Sequence, residues 1–302
     1  MSAAAAAARR DAPTGGLPFT KMQGVGNDFV LLDEVAWAEH DDWPSLARAL
    51  CDRRLGVGGD GLLVVGPSMV ADLRMRMFNP DGTEDMCGNG LRCAVRFAWE
   101  QGRLGGGEGL AEALSGVLSV SVQVDDQGGF VNATTSLGVP HFAPADLPMV
   151  AVPDGDRVLD VPLDVDGEIV RVSVVSTGTT HTVIFVPNLP GDDRFLRLSP
   201  RIESHSWFPE RTSVLWAVVD GPDRLRLRIW ERGAGETLGC GTGAAAAAVL
   251  ARVHDYVREG ETAVQSKGGT LHVRWPGSSP DDAVTLTGPA ETVFQGRWPE
   301  SL

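Results

Sequence analysis

Two short stretches of this 302-residue chain set a cysteine among glycines, just ahead of a helix-forming run. One is Cys87-Gly88-Asn89-Gly90, followed by "LRCAVRFA". The other is Cys240-Gly241-Thr242-Gly243, followed by five alanines, Val249 and Leu250. In the first turn of a helix the backbone N–H groups lack partners, and the helix dipole adds partial positive charge. Such an end attracts a carboxylate and draws a cysteine pKa from about 8.5 toward neutrality. Neighbouring glycines let a ligand approach the backbone and permit a nest of N–H groups. Each stretch is therefore expected to form a poised thiol beside a carboxylate cradle.

Two such thiols facing across one cleft suit proton transfer at carbon. One face removes a proton, the other returns one, and the centre is inverted. The α-proton of an amino acid is weakly acidic, and a pyridoxal cofactor usually spreads the carbanion charge. Here Lys21 and Lys267 are the only lysines, and neither lies in a recognisable cofactor stretch. No cofactor is expected. The growing charge would then be stabilised by two helix N-termini and backbone amides in a dry site. One thiol must hold a proton and its partner not, so the two would titrate as a coupled pair.

Other chemistry competes for the same residues. "GCGTGA" fits the dinucleotide fingerprint G-x-G-x-x-A, which would make the chain an oxidoreductase. Against it, the preceding strand carries Arg224, Arg226 and Arg228 on one side, whereas a Rossmann first strand is buried on both faces. The fingerprint also predicts no twin at Cys87. A Cys–His nucleophile pair would need His181, which opens an apolar strand, or His254, late in the second helix. A binding protein that keeps the cleft without the reaction is a further reading. Cys51 and Cys93 lie in amphipathic runs and are expected in the core. Four scattered cysteines without a C-x-x-C pair argue against a disulfide scaffold and against zinc, so no metal is expected.

The elements that must position these thiols repeat once along the chain. "DLRMRMFNPDGTEDMCGNGLRCAVRFA" from Asp72 parallels "RLRLRIWERGAGETLGCGTGAAAAAVLA" from Arg224. Each opens on alternating apolar residues and arginines, the pattern of a half-buried strand. Each then passes through a turn to C-G-x-G and a helix, with Gly102 as a stop signal for the first. Upstream, "PSLARALCDRRL" and "SPRIESHSWF" both look like helix starts leading into strands, "GLLVV" and "SVLWAVV". "VLSVSVQV", "IVRVSVVS" and "HTVIFV" read as further strands. The expected class is α+β, as two homologous α/β halves with their C-G-x-G turns facing.

Length is consistent with about two domains. Residues 1–16 are expected to be a disordered tail without the order of a secretory signal, which leaves the cytoplasm as the expected location. A net charge of −14 argues against nucleic-acid or anionic-membrane partners. No apolar run reaches the roughly 20 residues of a membrane span.

The residues resemble the diaminopimelate epimerase family of pyridoxal-independent epimerases. "FTKMQGVGNDFVLLD", "RRLGVGGDGLLVV", "NPDGTEDMCGNGLRCA", "FPER" and "ERGAGETLGCGTGA" follow in that family's order. The resemblance implies two pseudo-symmetric α/β domains enclosing a central cleft. The first would be residues 17–134, joined by a returning strand in 290–302, and the second 135–289. It implies Cys87 and Cys240 as the acid/base pair, with Cys240 accepting and Cys87 donating in the L,L to meso direction. Gly88, Asn89, Gly241 and Thr242 would cradle the reacting carboxylate. Asn27, Asn79, Glu231 and Arg232 would bind the rest of a small amino-acid substrate, and the protein would be a homodimer. The chain departs from the family pattern at Gly61, Thr179, Thr180 and Ser213, and between Asn79 and Cys87 it is one residue short. The resemblance implies that several of these positions grip the far end of the substrate, so a two-cysteine racemase for another amino acid is the alternative.

Overall fold

The computed structural model describes residues 16–150 and 157–299; the tail expected over residues 1–16 lies outside them except for Gly16. The first half runs β1 (Leu17–Gly24), β2 (Asn27–Asp33), α1 (Trp43–Cys51), β3 (Gly61–Gly66) and β4 (Leu73–Phe78). A two-residue β5 (Glu84–Asp85) leads to α2 (Gly88–Glu100), then β6 (Glu108–Ala113), β7 (Gly116–Val124) and β8 (Phe130–Ser136). The second half begins with β9 (Val161–Val165), β10 (Glu168–Ser176), β11 (Thr180–Phe185), α3 (Asp192–Glu203) and β12 (Ser213–Gly221). It continues with β13 (Arg224–Glu231), β14 (Gly235–Thr237), α4 (Gly241–Val253), β15 (Glu261–Ser266), β16 (Gly269–Arg274), β17 (Thr285–Gly288) and β18 (Glu291–Trp298).

The two halves share one strand order. β2 pairs parallel with β3, β3 antiparallel with β4, and β4 parallel with β6, which continues through β7 to β8. In the same way β11 pairs parallel with β12, β12 antiparallel with β13, and β13 parallel with β15, which continues through β16 to β17. The registers match as well: Phe29 lies opposite Gly61, and His181 opposite Ser213. β8 and β17 pair antiparallel and join the halves, while β18 returns to pair with β1.

Each half wraps a helix. α2 packs inside β1–β4, β7 and β8, and α4 inside β10–β13 and β15–β17; the two helices also touch each other. α4 is apolar all round, as suits a helix enclosed on every side: every residue from Gly243 to Ala251 is buried. Alanines suit this place because they favour helix and let the strands close in. The outer helices α1 and α3 cover separate cores on the outer sheet faces, around Trp37 and Leu50 in one half and around Phe195 and Trp216 in the other.

Local chemistry explains the boundaries. Asp42 caps α1 by accepting the Ser45 N–H at 3.0 Å, and Pro44 occupies the first turn. Gly102, at φ +70°, follows the end of α2 as the stop signal predicts. "SPRIESHSWF" is not a helix start: α3 begins at Asp192 and Pro200 lies inside it. The start signal is instead the pair Asp192 and Asp193 in the first turn, where acidic side chains complement the dipole.

Candidate active site

Cys87 and Cys240 are the N-caps of α2 and α4, with nearly identical backbones: φ −138°, ψ 117° and φ −131°, ψ 117°. Each sulfur accepts the N–H three residues on, from Gly90 at 3.5 Å and from Gly243 at 3.4 Å. This is the place that serine or aspartate takes in an ordinary cap. The extended backbone of a cap residue turns its side chain back over the open helix end. Both thiols, Gly88, Asn89, Gly241, Thr242, Asn27, Glu231 and Arg232 line one cavity of about 120 Å³.

At Gly90, Gly243, Gly241 and Gly239 a side chain would be crowded, whereas at Gly88 a Cβ would make only ordinary contacts. A Cβ on Gly90 would come within 2.8 Å of Leu63, and one on Gly243 within 3.0 Å of Leu215, matched leucines of β3 and β12. A Cβ on Gly241 would meet Leu286 at 2.9 Å, and on Gly239 the Val25 carbonyl at 2.7 Å. The turn between β1 and β2 is thus pressed against the loop carrying Cys240. The start of α4 opens onto the cavity shared with Cys87, and the strand before α4 is the three-residue β14 rather than a long strand buried on both faces.

Asn27 organises the Cys87 side. Its Oδ1 accepts from the Cys87 thiol at 3.5 Å and from Asn89 Nδ2 at 3.2 Å, while its Nδ2 donates to Asp60 at 2.7 Å. Asp60 also accepts the Asp28 N–H, and Arg53 bridges both carboxylates. Lys21 completes the group at 2.5 Å from Asp28. Beneath Asn89 lies Arg92, fully buried, with a 2.7 Å bond to Asn89 Oδ1. Asn89 in turn spans the cleft to Gly239 O at 3.2 Å.

The Cys240 side is built differently. Thr242 Oγ1 stands 3.5 Å from the Cys240 sulfur and 3.2 Å from His181 Nε2. His181 therefore reaches Cys240 only through Thr242, and His254 lies at the far end of α4 on Ser173. Glu231 accepts from Thr237 at 2.5 Å, and Ser213 Oγ accepts the Arg232 N–H at 3.1 Å.

Position at a helix start predicts a lowered thiol pKa, and here burial overrules it. Desolvation pushes Cys87 up to about 11, and the Glu231 carboxylate adds to the rise. Cys240 is driven well above its ordinary value, by burial first and Glu231 next. Both cysteines are thiols in the free protein at neutral pH. Burial also raises Glu231 and lowers His181 to about 4, so that histidine is neutral.

Asn79 is the one predicted substrate residue outside the lining. Its amide is turned to Thr83 Oγ1 at 3.1 Å in its own loop, the stretch that is one residue short. Asp85, Met86, Thr179 and Ser213 line the cavity, while Gly61 and Thr180 do not. Sequence reasoning missed Asp60, Arg53 and Arg92. For Arg92 there was no local signal, because its burial depends on the two helix starts coming together. Among the described residues no group of three His, Cys, Asp or Glu could hold a metal ion.

The sequence model of the diaminopimelate epimerase family matches residues 19–140 and 173–293. The chain belongs to the diaminopimelate epimerase family. Relatives that carry that name include one from Moorella thermoacetica, 43% identical over 93% of this chain and 99% of its own length. Another, from Desulfovibrio desulfuricans, is 42% identical over 93% of this chain and 98% of its own. Solved structures share the fold. A PhzF-family phenazine biosynthesis protein from Bacillus anthracis has 22% identity and a TM-score of 0.66, covering 93% of this chain and 98% of that one. A hydroxyproline epimerase from Agrobacterium vitis has 16% identity and a TM-score of 0.68, covering 93% and 90%. Membership in the diaminopimelate epimerase family makes this chain an isomerase. Set against the family pattern quoted above, its departures at Thr179 and Ser213 fall on the cavity wall.

Proposed function

We propose that this chain interconverts L,L- and meso-diaminopimelate by two-cysteine proton transfer, without a cofactor, in lysine and peptidoglycan precursor synthesis. The observation that carries the reading is the matched pair of cysteine N-caps on one cavity that also holds Glu231. The substrate's α-carboxylate would occupy the N–H groups at Gly88, Asn89, Gly241 and Thr242. Its ammonium would sit on Glu231, and Arg232 would hold the distal carboxylate. Glu231 raises both thiol pKa values in the free protein. A bound ammonium neutralises that carboxylate and lowers both, so ionisation of one thiol follows substrate entry. In the L,L to meso direction Cys240 accepts the α-proton and Cys87 delivers one to the opposite face. Residues 17–134 with the returning strand, and 135–289, act as the two domains, and the active form is a cytoplasmic homodimer.

A second reading rests on Thr179 and Ser213: a shorter-reaching wall would suit a different amino acid. Both are tested by NMR in deuterium oxide with L,L-diaminopimelate and a panel of single-carboxylate amino acids. Loss of the α-proton signal with appearance of the meso isomer supports the first reading. Exchange on another amino acid alone supports the second. No exchange on any overturns both.

A further inference from the structure

Arg92 is fully buried, yet among the described residues no carboxylate lies within ion-pair distance of it. Its partners are all neutral: Asn89 Oδ1 at 2.7 Å, Gly88 O at 3.3 Å and Pro289 O at 3.4 Å. A guanidinium taken out of water without a counter-charge is costly. Nothing in the architecture demands it, because the residue in the same place past the other cap is Ala245, buried within the alanine run.

The location gives it a use. Arg92 Nη1 would lie 3.6 Å from a Cβ on Gly241 and Nη2 3.4 Å from one on Gly24, so the guanidinium sits where the two helix starts meet. It supports Asn89, which holds Asn27, which faces Cys87. We infer that Arg92 is the built-in counter-charge of the site: a positioning residue that offsets negative charge developing on the substrate carboxylate and on Cys87. This rests on the two-cysteine reading above. When the α-proton leaves, its electron pair spreads into the carboxylate held at the helix starts. A fixed cation behind that cradle needs no reorganisation to stabilise it. The substrate supplies the partner the buried cation lacks. The Arg92 charge also opposes the burial-driven rise at Cys87.

The test compares Arg92→Met, Arg92→Gln and Arg92→Lys with the unaltered chain. Gln keeps a donor for Asn89, and Lys keeps the charge. Folding is checked by circular dichroism and thermal melting. In the free protein, the pH profile of iodoacetamide labelling at Cys87 is read by mass spectrometry. The two neutral variants are expected to label Cys87 about 10-fold more slowly at a fixed pH, a shift of about one unit, and Lys within a few-fold of the original. With the exchanging substrate, the neutral variants should lose kcat by about 10²-fold, with KM nearly unchanged, and Lys should restore most of it.

An unchanged Cys87 profile in a folded neutral variant overturns the inference. So does an equal loss in Lys and Met, or folding by Lys alone, which would make Arg92 a strut. If the unaltered chain exchanges no substrate proton, the functional reading fails, while the labelling profile still decides the role of Arg92.

Discussion

The His181 imidazole stands 3.2 Å from the Thr242 hydroxyl, and its other ring nitrogen lies 2.7 Å from Thr179 O. A carbonyl can only accept, so Nδ1 carries the ring proton and Nε2 must accept from Thr242. The Thr242 proton is thus spent on the imidazole, and its oxygen faces the Cys240 sulfur as an acceptor. That polarity favours the thiol at Cys240, whose pKa burial and the Glu231 carboxylate already raise.

His181 should make stability pH-dependent. Its pKa is about 4 when folded, against 6.5 as a model value, so on acidification the unfolded chain takes the proton first. Stability is therefore lost as pH falls from about 6.5 to 4, by at most about 3 kcal/mol. Urea midpoints at pH 7 and 4.5 should differ less for His181→Gln than for the original chain. Equal differences would mean that His181 is not held neutral.

Cys87 labelling should be slow at pH 7 and rise toward a midpoint near 11. Iodoacetamide with peptide-resolved mass spectrometry measures this directly. Fast labelling of folded protein at pH 7 would restore the thiolate that the helix dipole alone predicts.

Asp60→Ala should free the Asn27 amide to rotate. Asn27 Oδ1 then no longer has to face Cys87, and about 10²-fold in kcat is expected to go. Arg53 and Asp28 remain paired, so the melting temperature should change little. A variant with full activity would exclude Asp60 from positioning Asn27.

Gly90→Ala should destabilise by about 1–3 kcal/mol, because its Cβ meets Leu63 at 2.8 Å. Leu63→Val should relieve part of that in the double variant, as expected for residues in contact. Additive losses in chemical denaturation would place the strain elsewhere.

Much of this was legible in the chain. The alternating arginine strands, the two C-G-x-G turns and the helix stops are local signals, and α2 and α4 begin where their cysteines predict. The thiol pKa was not legible, because burial depends on strands far along the chain closing over the cap. Asn79 matches Glu231 in the repeat, but the loop after it is one residue short and turns its amide to Thr83. Arg92 reads as an exposed helix arginine in any window of sequence. Only the contact of two helix starts, brought together by the β8–β17 pairing, puts it out of water. Charges on one strand were likewise only half informative: Arg228 is buried against Glu236 and Asp192.

The ion pairs Arg76–Glu84 and Arg228–Glu236 occupy the same place in the two halves, at 2.7 and 2.9 Å. Such a chain resembles a dimer whose subunits can no longer exchange. In a true homodimer each substitution appears twice, and a cleft on the axis is forced to be symmetric. Fusion lifts that constraint. Here the caps and their supporting leucines have stayed paired, while Phe29 in one half corresponds to His181 in the other, Gly61 to Ser213 and Arg92 to Ala245. The two walls differ wherever symmetry is not needed, so a duplicated frame encloses a cavity whose two sides are not alike.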